Sequence, residues 1–385
     1  MNCPGNQKII IVTPRYLPLL GGMERQVQLL AEEFARRSYR VVIITELLDV
    51  SPRQEDENGI RVIRVGARRD RPDPPTELRG LFEQVRSAVA IAYHVIRNRR
   101  GTALGIIRTF TLPSVVVGAL KRVGMLRFPT VVTAETGGER DDAVLFSEFP
   151  GQFALRAALA GNDMFNALCS TNIPNILALG VNAGSVLRIP NGINCQRWIS
   201  DHPAIKVQRL LYIGRLDIAK GVIDLANAFE QSHRRRPELE LAYAGDGPAA
   251  SELDDRIAAL RLGCAIRRLG PVSYSDLPTV VREYDCVILP SHSESFGLAA
   301  YEAAAAGRHL ILSDVADFRQ NFGEAAWYFP PADVSALSEA IVMAADQRVA
   351  AQTAAIGCAF DVSTTADAFL AIVLRLDSQR DNDGA

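Results

Sequence analysis

The chain has 385 residues, of which 48% are hydrophobic and 22% charged, and its net charge at pH 7 is −2. This composition is ordinary for a globular protein and excludes a fibrous or low-complexity chain, while the length predicts two domains that each bury their own core. No run of 18 apolar residues occurs, which excludes a membrane-spanning helix.

The cysteines and the N-terminus bear on the cellular compartment. The six cysteines include no Cys-x-x-Cys pair and lie mostly within apolar runs, which is typical of reduced core residues in a cytosolic protein. The chain enters the apolar run 8–12 without the basic and apolar regions of a secretory leader. We therefore expect a cytoplasmic protein with free thiols, and no nucleic-acid partner.

Alternating apolar runs and turn residues predict an α/β domain in the first half of the chain. Strands are predicted at 8–13, 40–45, 60–65, 104–107, 130–133 and 185–189, and helices at 22–37, 77–98 and from Pro113. The helix at 77–98 carries one apolar stripe, which predicts its core-facing side; the stripe consists of Leu78, Leu81, Phe82, Val85, Val89 and Ile96.

Two segments of this half carry polar chemistry. Gly21-Gly22 begins a helix where glycine lets the backbone approach a phosphate group, although a tight turn explains the pair equally well.

The two halves of the chain differ in charge. Residues 1–195 hold 24 Lys or Arg against 18 Asp or Glu, and residues 196–385 hold 18 against 26. The local cationic patch, Arg97-Asn98-Arg99-Arg100, has two interpretations: contact with a membrane or an anionic partner, or complementarity to the helix C-terminus.

The second half restarts with an apolar strand at 209–213 and repeats strand–helix units to about 345. In the turn after that strand, Arg215 can grip phosphate oxygens through its planar guanidinium, and Lys220 adds a mobile charge. The chain contains only four lysines among 42 Lys and Arg, so a lysine here favours a phosphate-binding function over a solvated basic turn.

The segment from Cys286 to Ala306 is the most informative. An apolar run, 286–289, predicts a buried strand, and the Ala-rich run from Leu298 predicts a helix. Glu294 and Ser295 then lie in the loop, the N–H groups of 296–298 are free to meet an anion, and Glu302 reaches back along the helix. A βα turn with two incidental acids is the alternative.

Taken together, these motifs resemble the family 4 (GT4-type) retaining glycosyltransferases of the GT-B fold. The resemblance covers roughly residues 8 to 375 and rests on Gly21 to Glu24, Pro190 to Ile193, Gly214 to Leu216, Lys220-Gly221, Gly245 to Gly247 and Glu294 to Glu302. It implies two Rossmann-like doubly wound domains facing a central cleft: 1–195, which binds the acceptor, and 196–363, which binds the nucleotide-sugar. A helix near 364–377 is expected to cross back onto the first domain.

The resemblance also implies site roles. Arg215 and Lys220 stabilise the leaving diphosphate of a UDP- or GDP-sugar. The loop with Gly21 and Gly22 also reaches toward the phosphate of this donor. Glu294, Ser295 and the amides of Phe296, Gly297 and Leu298 hold the sugar, and Glu302 holds the ribose, while Ile266–Val272 borders the base. No metal-ligand cluster is present in the sequence, and we expect transfer without metal or cofactor.

The sequence departs from this family at the end of the strand 130–133, where many members place a histidine. The first 195 residues contain only His94. Glu135 occupies the nearest position, and Thr136, Gly137, Gly138 and Glu139 form an acceptor-side Gly-Gly-Glu loop like that of one subgroup. Glu135 or Glu139 is predicted to orient the acceptor or to stabilise developing positive charge, which makes Glu135 a candidate catalytic residue; an ordinary polar loop at a strand end is the alternative.

Two further histidines and several functional alternatives remain. His309 replaces the family's usual proline and is predicted to be structural, and His292 is predicted to face solvent. A GT-B epimerase, a phosphorylase and a nucleotide-sugar-binding pseudoenzyme partner are alternatives to a transferase. The acceptor (a glycan, a lipid-linked sugar or a small molecule), the donor sugar and the oligomeric state stay open.

Overall fold

The computed structural model describes residues 7–18, 21–48, 52–69, 77–135, 142–147, 152–346 and 351–383. The chain divides into two compact units. We call Met1–Gly192 with Val362–Ala385 the N-unit, and Ile193–Asp361 the C-unit. Among the described helices, none is long and apolar enough to cross a bilayer.

The described residues form the following elements in chain order. The strands are β1 (Lys8–Val12), β2 (Arg40–Leu48), β3 (Gln54–Glu57), β4 (Ile60–Arg69), β5 (Thr102–Arg108), β6 (Thr130–Thr133), β7 (Met164–Asn166), β8 (Val186–Leu187), β9 (Arg209–Ile213), β10 (Glu240–Ala244), β11 (Ile266–Gly270), β12 (Cys286–Leu289), β13 (His309–Ser313) and β14 (Trp327–Phe329). The helices are α1 (Gly22–Arg36), α2 (Glu77–Asn98), α3 (Leu112–Arg122), α4 (Asp142–Ser147), α5 (Gln152–Leu159), α6 (Asn172–Ala178), α7 (Cys195–Trp198), α8 (Val222–Arg235), α9 (Ala250–Leu260), α10 (Leu277–Arg282), α11 (Leu298–Ala305), α12 (Phe318–Phe322), α13 (Val334–Asp346), α14 (Ala354–Ala359) and α15 (Val362–Asp383).

The N-unit is built on an eight-stranded sheet in the order β3-β4-β2-β1-β5-β6-β7-β8. Neighbouring strands are parallel, except that β3 runs antiparallel to β4. The central strand β1 is apolar after its first residue, Lys8, because both faces of a parallel sheet are covered by helices, and Ile9, Ile10 and Ile11 are fully buried. The expected doubly wound architecture is confirmed in this unit.

The last helix, α15, packs on α1 and so belongs to the N-unit, as expected. Arg37, at the end of α1, donates to the carbonyl of Ser363 at 2.8 Å. Gly192 explains part of the Pro-Asn-Gly motif, because a Cβ there would lie 2.5 Å from the Cα of Val362. The chain therefore passes close to the start of α15 only with glycine at this position.

The C-unit is built on a six-stranded parallel sheet in the order β11-β10-β9-β12-β13-β14. From β9 the chain proceeds to β10 and β11 on one side, and from β12 to β13 and β14 on the other. The order of the strands thus reverses between β9 and β12. In open α/β sheets, ligands bind outside the carboxyl ends of the strands at such a switch point.

Two expectations from the sequence are wrong. Cys195 and Cys358 form a disulfide within the C-unit, with Cα atoms 5.2 Å apart, and Cys264 is exposed; the cysteines are therefore not uniformly reduced core residues. The stripe assigned to the core side of α2 is wrong at two positions, because Val85 and Val89 are exposed whereas Ile91 and Val95 are buried. Ile96 is partly buried, and the side chains of Leu78, Leu81 and Phe82 lie outside the described part of the structure.

Candidate functional site

Two loops meet at the switch point of the C-unit, one after β9 (214–221) and one after β12 (290–297). The backbone N–H of His292 donates to the carbonyl of Ala219 at 2.9 Å. Gly221 has a φ of +66°, and a Cβ on it would overlap the carbonyl oxygen of Pro290. Glycine at 221 is therefore required both by the backbone conformation and by the approach of the second loop.

The central contact of the site is an ion pair between these loops. Lys220 Nζ lies 2.6 Å from Glu294 Oε1, and Ser291 Oγ donates to the same oxygen at 2.9 Å. The Lys220 side chain is 34% exposed and that of Glu294 is 14% exposed. The fold thus brings together two charged residues that are 74 positions apart, and the ammonium retains further N–H donors for a ligand.

Arg215 lies at the rim of the site. Its side chain is 65% exposed, and its Nε is 3.7 Å from Asp217 Oδ2, so it is only loosely held. The Arg215 carbonyl accepts a hydrogen bond of 2.7 Å from the Tyr212 hydroxyl. Burial, with Glu294 and Asp217 nearby, raises the pKa of the Tyr212 phenol, so the phenol stays protonated and anchors the loop.

The Gly-Asp-Gly motif supports the β9 loop from the neighbouring strand. Gly245 has a φ of +145°, and a Cβ there would overlap the Gly214 carbonyl; a Cβ on Gly247 would overlap the carbonyl of Leu216. The Leu216 N–H donates to the Asp246 carbonyl at 3.0 Å. In this unit the motif therefore shapes the loop that presents Arg215.

The start of α11 offers backbone donors. Gly297, directly before the helix, has a φ of +73° and closely faces the ring of Phe318. The Phe296 ring is buried and stacks on Tyr301 with centroids 4.2 Å apart. Phe296 therefore contributes its backbone rather than its side chain, together with Leu298, whose N–H has no partner inside the helix.

Three other polar residues flank this helix and the β12 loop. Ser295 is partly buried in the loop. Glu302, on α11, is 7% exposed. His292 does not simply face solvent, because its Nε2 lies 2.6 Å from Asp224 Oδ2 and ties the β12 loop to α8.

In the N-unit, Gly21 and Gly22 begin α1 as predicted. The φ of Gly21 is −157°, an extended conformation that any residue adopts. The buried Glu24 folds back over this start, and a Cβ on Gly21 would lie 2.5 Å from Glu24 Oε2. A phosphate at this helix start would therefore require the Glu24 carboxylate to turn away.

Glu135 lies two residues after the end of β6, where the sequence places it, but its carboxylate is buried in an ion pair. Arg108 Nη2 donates to Glu135 Oε2 at 2.9 Å, and Arg108 Nε pairs with Oε1. The two side chains are 1% and 4% exposed, and Arg108 also donates to Asn191 at 3.3 Å. Thr136, Gly137, Gly138 and Glu139 lie outside the described residues.

Sequence reasoning missed several of these partners. No sequence motif points to the partners of three site residues. Only the fold brings Arg108 to Glu135, Ser291 to Glu294 and Asp224 to His292. Across the described part of the chain, no group of three or more His, Cys, Asp or Glu side chains is arranged to hold a metal ion.

Two doubly wound units, one with a charged site at its switch point, define a two-domain α/β protein of the Rossmann-like class. Residues 21–192 match the Glycosyl transferase 4-like domain, and residues 199–353 match the domain Glycosyl transferases group 1. The chain belongs to the family 4 glycosyltransferases of the GT-B fold, as its motifs predict.

Individual proteins agree with this assignment. Glycogen synthase of Mycobacterium tuberculosis is 28% identical over 369 residues, covering 90% of this chain and 87% of that protein. Sucrose-phosphate synthase from Thermosynechococcus elongatus has a similar structure, with a TM-score of 0.70 at 21% identity over 98% of both chains. The Anabaena protein HepE, in complex with UDP-glucose, has a TM-score of 0.70 at 18% identity, over 96% of this chain and 99% of that one.

Proposed function

We propose that this glycosyltransferase moves a sugar from a nucleoside diphosphate-sugar to an acceptor hydroxyl, with retention of the anomeric configuration and without a metal ion. The observation that carries the proposal is the Lys220–Glu294 pair, held at 2.6 Å across the switch point with Ser291 on the same carboxylate. HepE, a protein of similar fold, binds UDP-glucose, which supports a UDP-sugar donor; a GDP-sugar remains the alternative.

Lys220 and Arg215 neutralise the diphosphate as it leaves. Lys220 is held in place by Glu294, whereas the exposed Arg215 is free to close on phosphate oxygens with its planar guanidinium. Such preorganised cations stabilise the charge that develops in the transition state, which is the task a divalent ion performs in other enzymes.

The remaining contacts hold the two ends of the donor. The N–H groups of Phe296, Gly297 and Leu298, at the start of α11, meet anionic or hydroxyl oxygens, with Ser295 beside them. Glu294 accepts hydrogen bonds from sugar hydroxyls, and Glu302 accepts them from the ribose. The segment Ile266–Val272, which consists of β11 and the two residues after it, borders the base.

Retention follows from a front-face reaction, in which the departing phosphate helps to deprotonate the acceptor. A covalent glycosyl-enzyme would need a carboxylate nucleophile. The ion pair of Glu135 supports the front-face route instead, because both of its carboxylate oxygens face Arg108 in a buried pair. We propose that Glu135 is a positioning residue for the Gly-Gly-Glu loop that follows it. The acceptor is a glycan, a lipid-linked sugar or a small molecule, and the reaction is cytoplasmic.

The proposal is tested by incubating the protein with UDP- and GDP-sugars and candidate acceptors, while measuring nucleoside diphosphate release with and without excess EDTA. The expected result is acceptor-dependent release that EDTA leaves nearly unchanged, with NMR of the product showing the donor's anomeric configuration. Loss of activity that magnesium restores contradicts metal-free transfer. Dependence on inorganic phosphate indicates a phosphorylase, epimerised donor without acceptor indicates an epimerase, and binding without turnover indicates a pseudoenzyme.

The site assignment has its own test in Lys220→Ala, Glu294→Ala and the double variant. Losing one charge-assisted contact costs about 1.5–3 kcal/mol, or roughly ten- to a hundred-and-fifty-fold in activity. Because the two residues share one ion pair, the double variant should lose less than the product of the two single losses. Lys206→Ala, which removes the other lysine of the C-unit, is the control, and equal effects in all variants contradict the assignment.

A further inference from the structure

The outer side of α2 is an apolar ridge exposed to solvent. Val85, Val89 and Tyr93 are 55%, 63% and 54% exposed, and their spacing of four places them in one line along the helix. Single exposed apolar residues are common, but contiguous ones mark an interaction surface. Two of its three residues, Val85 and Val89, belong to the stripe that the sequence pattern assigns to the core.

Further exposed apolar residues directly follow the next helix, α3. α2 and α3 pack together, and right-handed crossovers place both on the same side of the sheet, opposite α1 and α15. Val123 and Met125, directly after α3, are 68% and 44% exposed. The ends of α2 and α3 converge at a cavity of about 600 Å³, whose lining includes Arg99, Arg100, Met125 and Arg127.

The charges of this segment are all of one sign. Although Asp and Glu make up 44 of the 385 residues, none occurs between Gln84 and Ala134, where eight Lys or Arg occur. Two of these cations are neutralised by more distant acids, Lys121 by Asp163 and Arg108 by Glu135. The exposed cations have no carboxylate within ion-pair distance among the described residues; they are Arg86, Arg97, Arg99, Arg100, Arg122 and Arg127.

The helix dipole explains only part of this pattern. Arg99 caps α2 by donating to the carbonyl of Ile96 at 3.0 Å, but the dipole does not account for the missing acids or for the exposed valines. In the C-unit, by contrast, Arg234 and Arg235 pair with Glu230 and Glu339. A membrane containing anionic lipids attracts clustered cations and takes up the aliphatic and aromatic side chains beside them.

We propose that the α2–α3 face, comprising Val85, Val89, Tyr93, Val123, Met125 and the unpaired arginines between Arg86 and Arg127, docks the protein on a bilayer that contains anionic phospholipid. The apolar ridge enters the interfacial region, and the guanidinium groups contact lipid phosphates. This proposal uses no residue of the donor site, so it stands or falls independently of the proposed reaction.

The test is co-sedimentation of the full chain with vesicles of phosphatidylcholine alone and of phosphatidylcholine mixed with phosphatidylglycerol. Wild-type protein should pellet with the anionic vesicles, weakly with the neutral ones, and less as salt increases. Since each interfacial cation contributes about a fivefold preference, Arg99→Gln/Arg100→Gln should lower partitioning roughly 25-fold. Arg234→Gln/Arg235→Gln removes the same charge elsewhere and should have little effect.

The apolar ridge is tested with Val89→Glu/Tyr93→Glu, which should abolish pelleting. Its control is Leu374→Glu/Met343→Glu, which makes the same chemical change at residues that are 72% and 57% exposed on α15 and α13. Melting temperature and nucleoside diphosphate binding should be unchanged in all four variants, which verifies their fold. Absence of pelleting by wild type, equal effects of test and control variants, or a dimer that Val89→Glu/Tyr93→Glu dissociates would each overturn the proposal.

Discussion

Glu135 illustrates how the surroundings of a carboxylate decide its chemistry. The strand pattern predicts where Glu135 lies, because β6 ends two residues before it. It does not predict the partner, Arg108, because that arginine ends a buried strand that otherwise consists of apolar and small residues. The pair forms because β5 and β6 are parallel neighbours in a register that places Arg108 opposite Thr133.

We predict that Glu135→Gln destabilises the N-unit. The substitution keeps the shape of the side chain but leaves the Arg108 charge buried with neutral partners, and breaking a buried ion pair costs about 3–5 kcal/mol. Urea denaturation measures this loss. Asp56→Asn, which breaks the exposed Arg61–Asp56 pair of the same unit, should cost at most about 1 kcal/mol; similar costs for the two variants would show that Glu135 is not structurally important.

His309 gives the C-unit a dependence on pH. It is 5% exposed at the start of β13, near the Trp327 ring, and its Nε2 has no hydrogen-bond partner among the described residues. Burial lowers the pKa of His309, and the positive charge of Arg308 lowers it further. A hydrogen bond with the backbone of Ala204 and the negative charge of Asp285 partly offset this lowering. The unfolded chain then binds a proton more readily than the folded one, so stability is lost as the pH falls below about 6.5.

This pH dependence predicts a specific difference between variants. Between pH 7.5 and 5.5, wild-type protein should lose more stability than His309→Gln, by at most about 1.4 kcal/mol, because pH 5.5 lies only about one unit below the pKa of an unfolded histidine. Chemical denaturation at both values measures the difference. His202→Gln, at an exposed histidine, should behave like wild type, and a His309→Gln profile parallel to wild type would refute the prediction.

At the scale of elements, the sequence predicts helix and strand positions better than it predicts which side is buried. The bounds of α2 agree with the predicted helix. Its burial is predicted wrongly at Val85 and Val89, because the helical period fits this exposed pair as well as the buried pair Ile91 and Val95. The sheet selects between the two sides, and that information is absent from the helix itself. Strand β3, whose four residues are polar and exposed, has no apolar pattern and was not predicted.

The juxtaposition of the β9 and β12 loops leads to a prediction for Gly221→Ala. A methyl group would overlap the Pro290 carbonyl, and the φ of +66° is unfavourable for alanine, so we expect a loss of about 1–3 kcal/mol in stability. Separation of the loops should also weaken nucleoside diphosphate binding, measured by calorimetry. Gly263→Ala is the control, because a Cβ there meets nothing within 4 Å; equally weak effects of the two substitutions would refute the requirement for glycine.

At the scale of the whole molecule, one covalent link joins the two ends of the C-unit. Cys195 lies near its start and Cys358 near its end, with a sequence separation of 163. The same ends are joined by hydrogen bonds from the Ile193 N–H to the Phe360 carbonyl at 2.8 Å and from the Cys195 N–H to Asp361 at 3.0 Å. Cysteines so far apart in sequence carry no local signal, so only the completed fold reveals that they pair.

We predict that this disulfide stabilises the C-unit by restricting its unfolded chain, by about 2–4 kcal/mol. Adding dithiothreitol should therefore lower its melting temperature by roughly 5–15 °C. Cys195→Ser/Cys358→Ser should melt at the lower temperature with or without reductant, whereas Cys264→Ser, which removes the exposed free thiol, should keep the response of the wild type. The C-unit also holds Arg215, Lys220 and Glu294. Nucleoside diphosphate should therefore raise the melting temperature of the oxidised and of the reduced protein, because it binds to the folded state. If alkylation before reduction labels Cys195 and Cys358 in the native protein, the link is absent, and the ends of this unit are held by their hydrogen bonds alone.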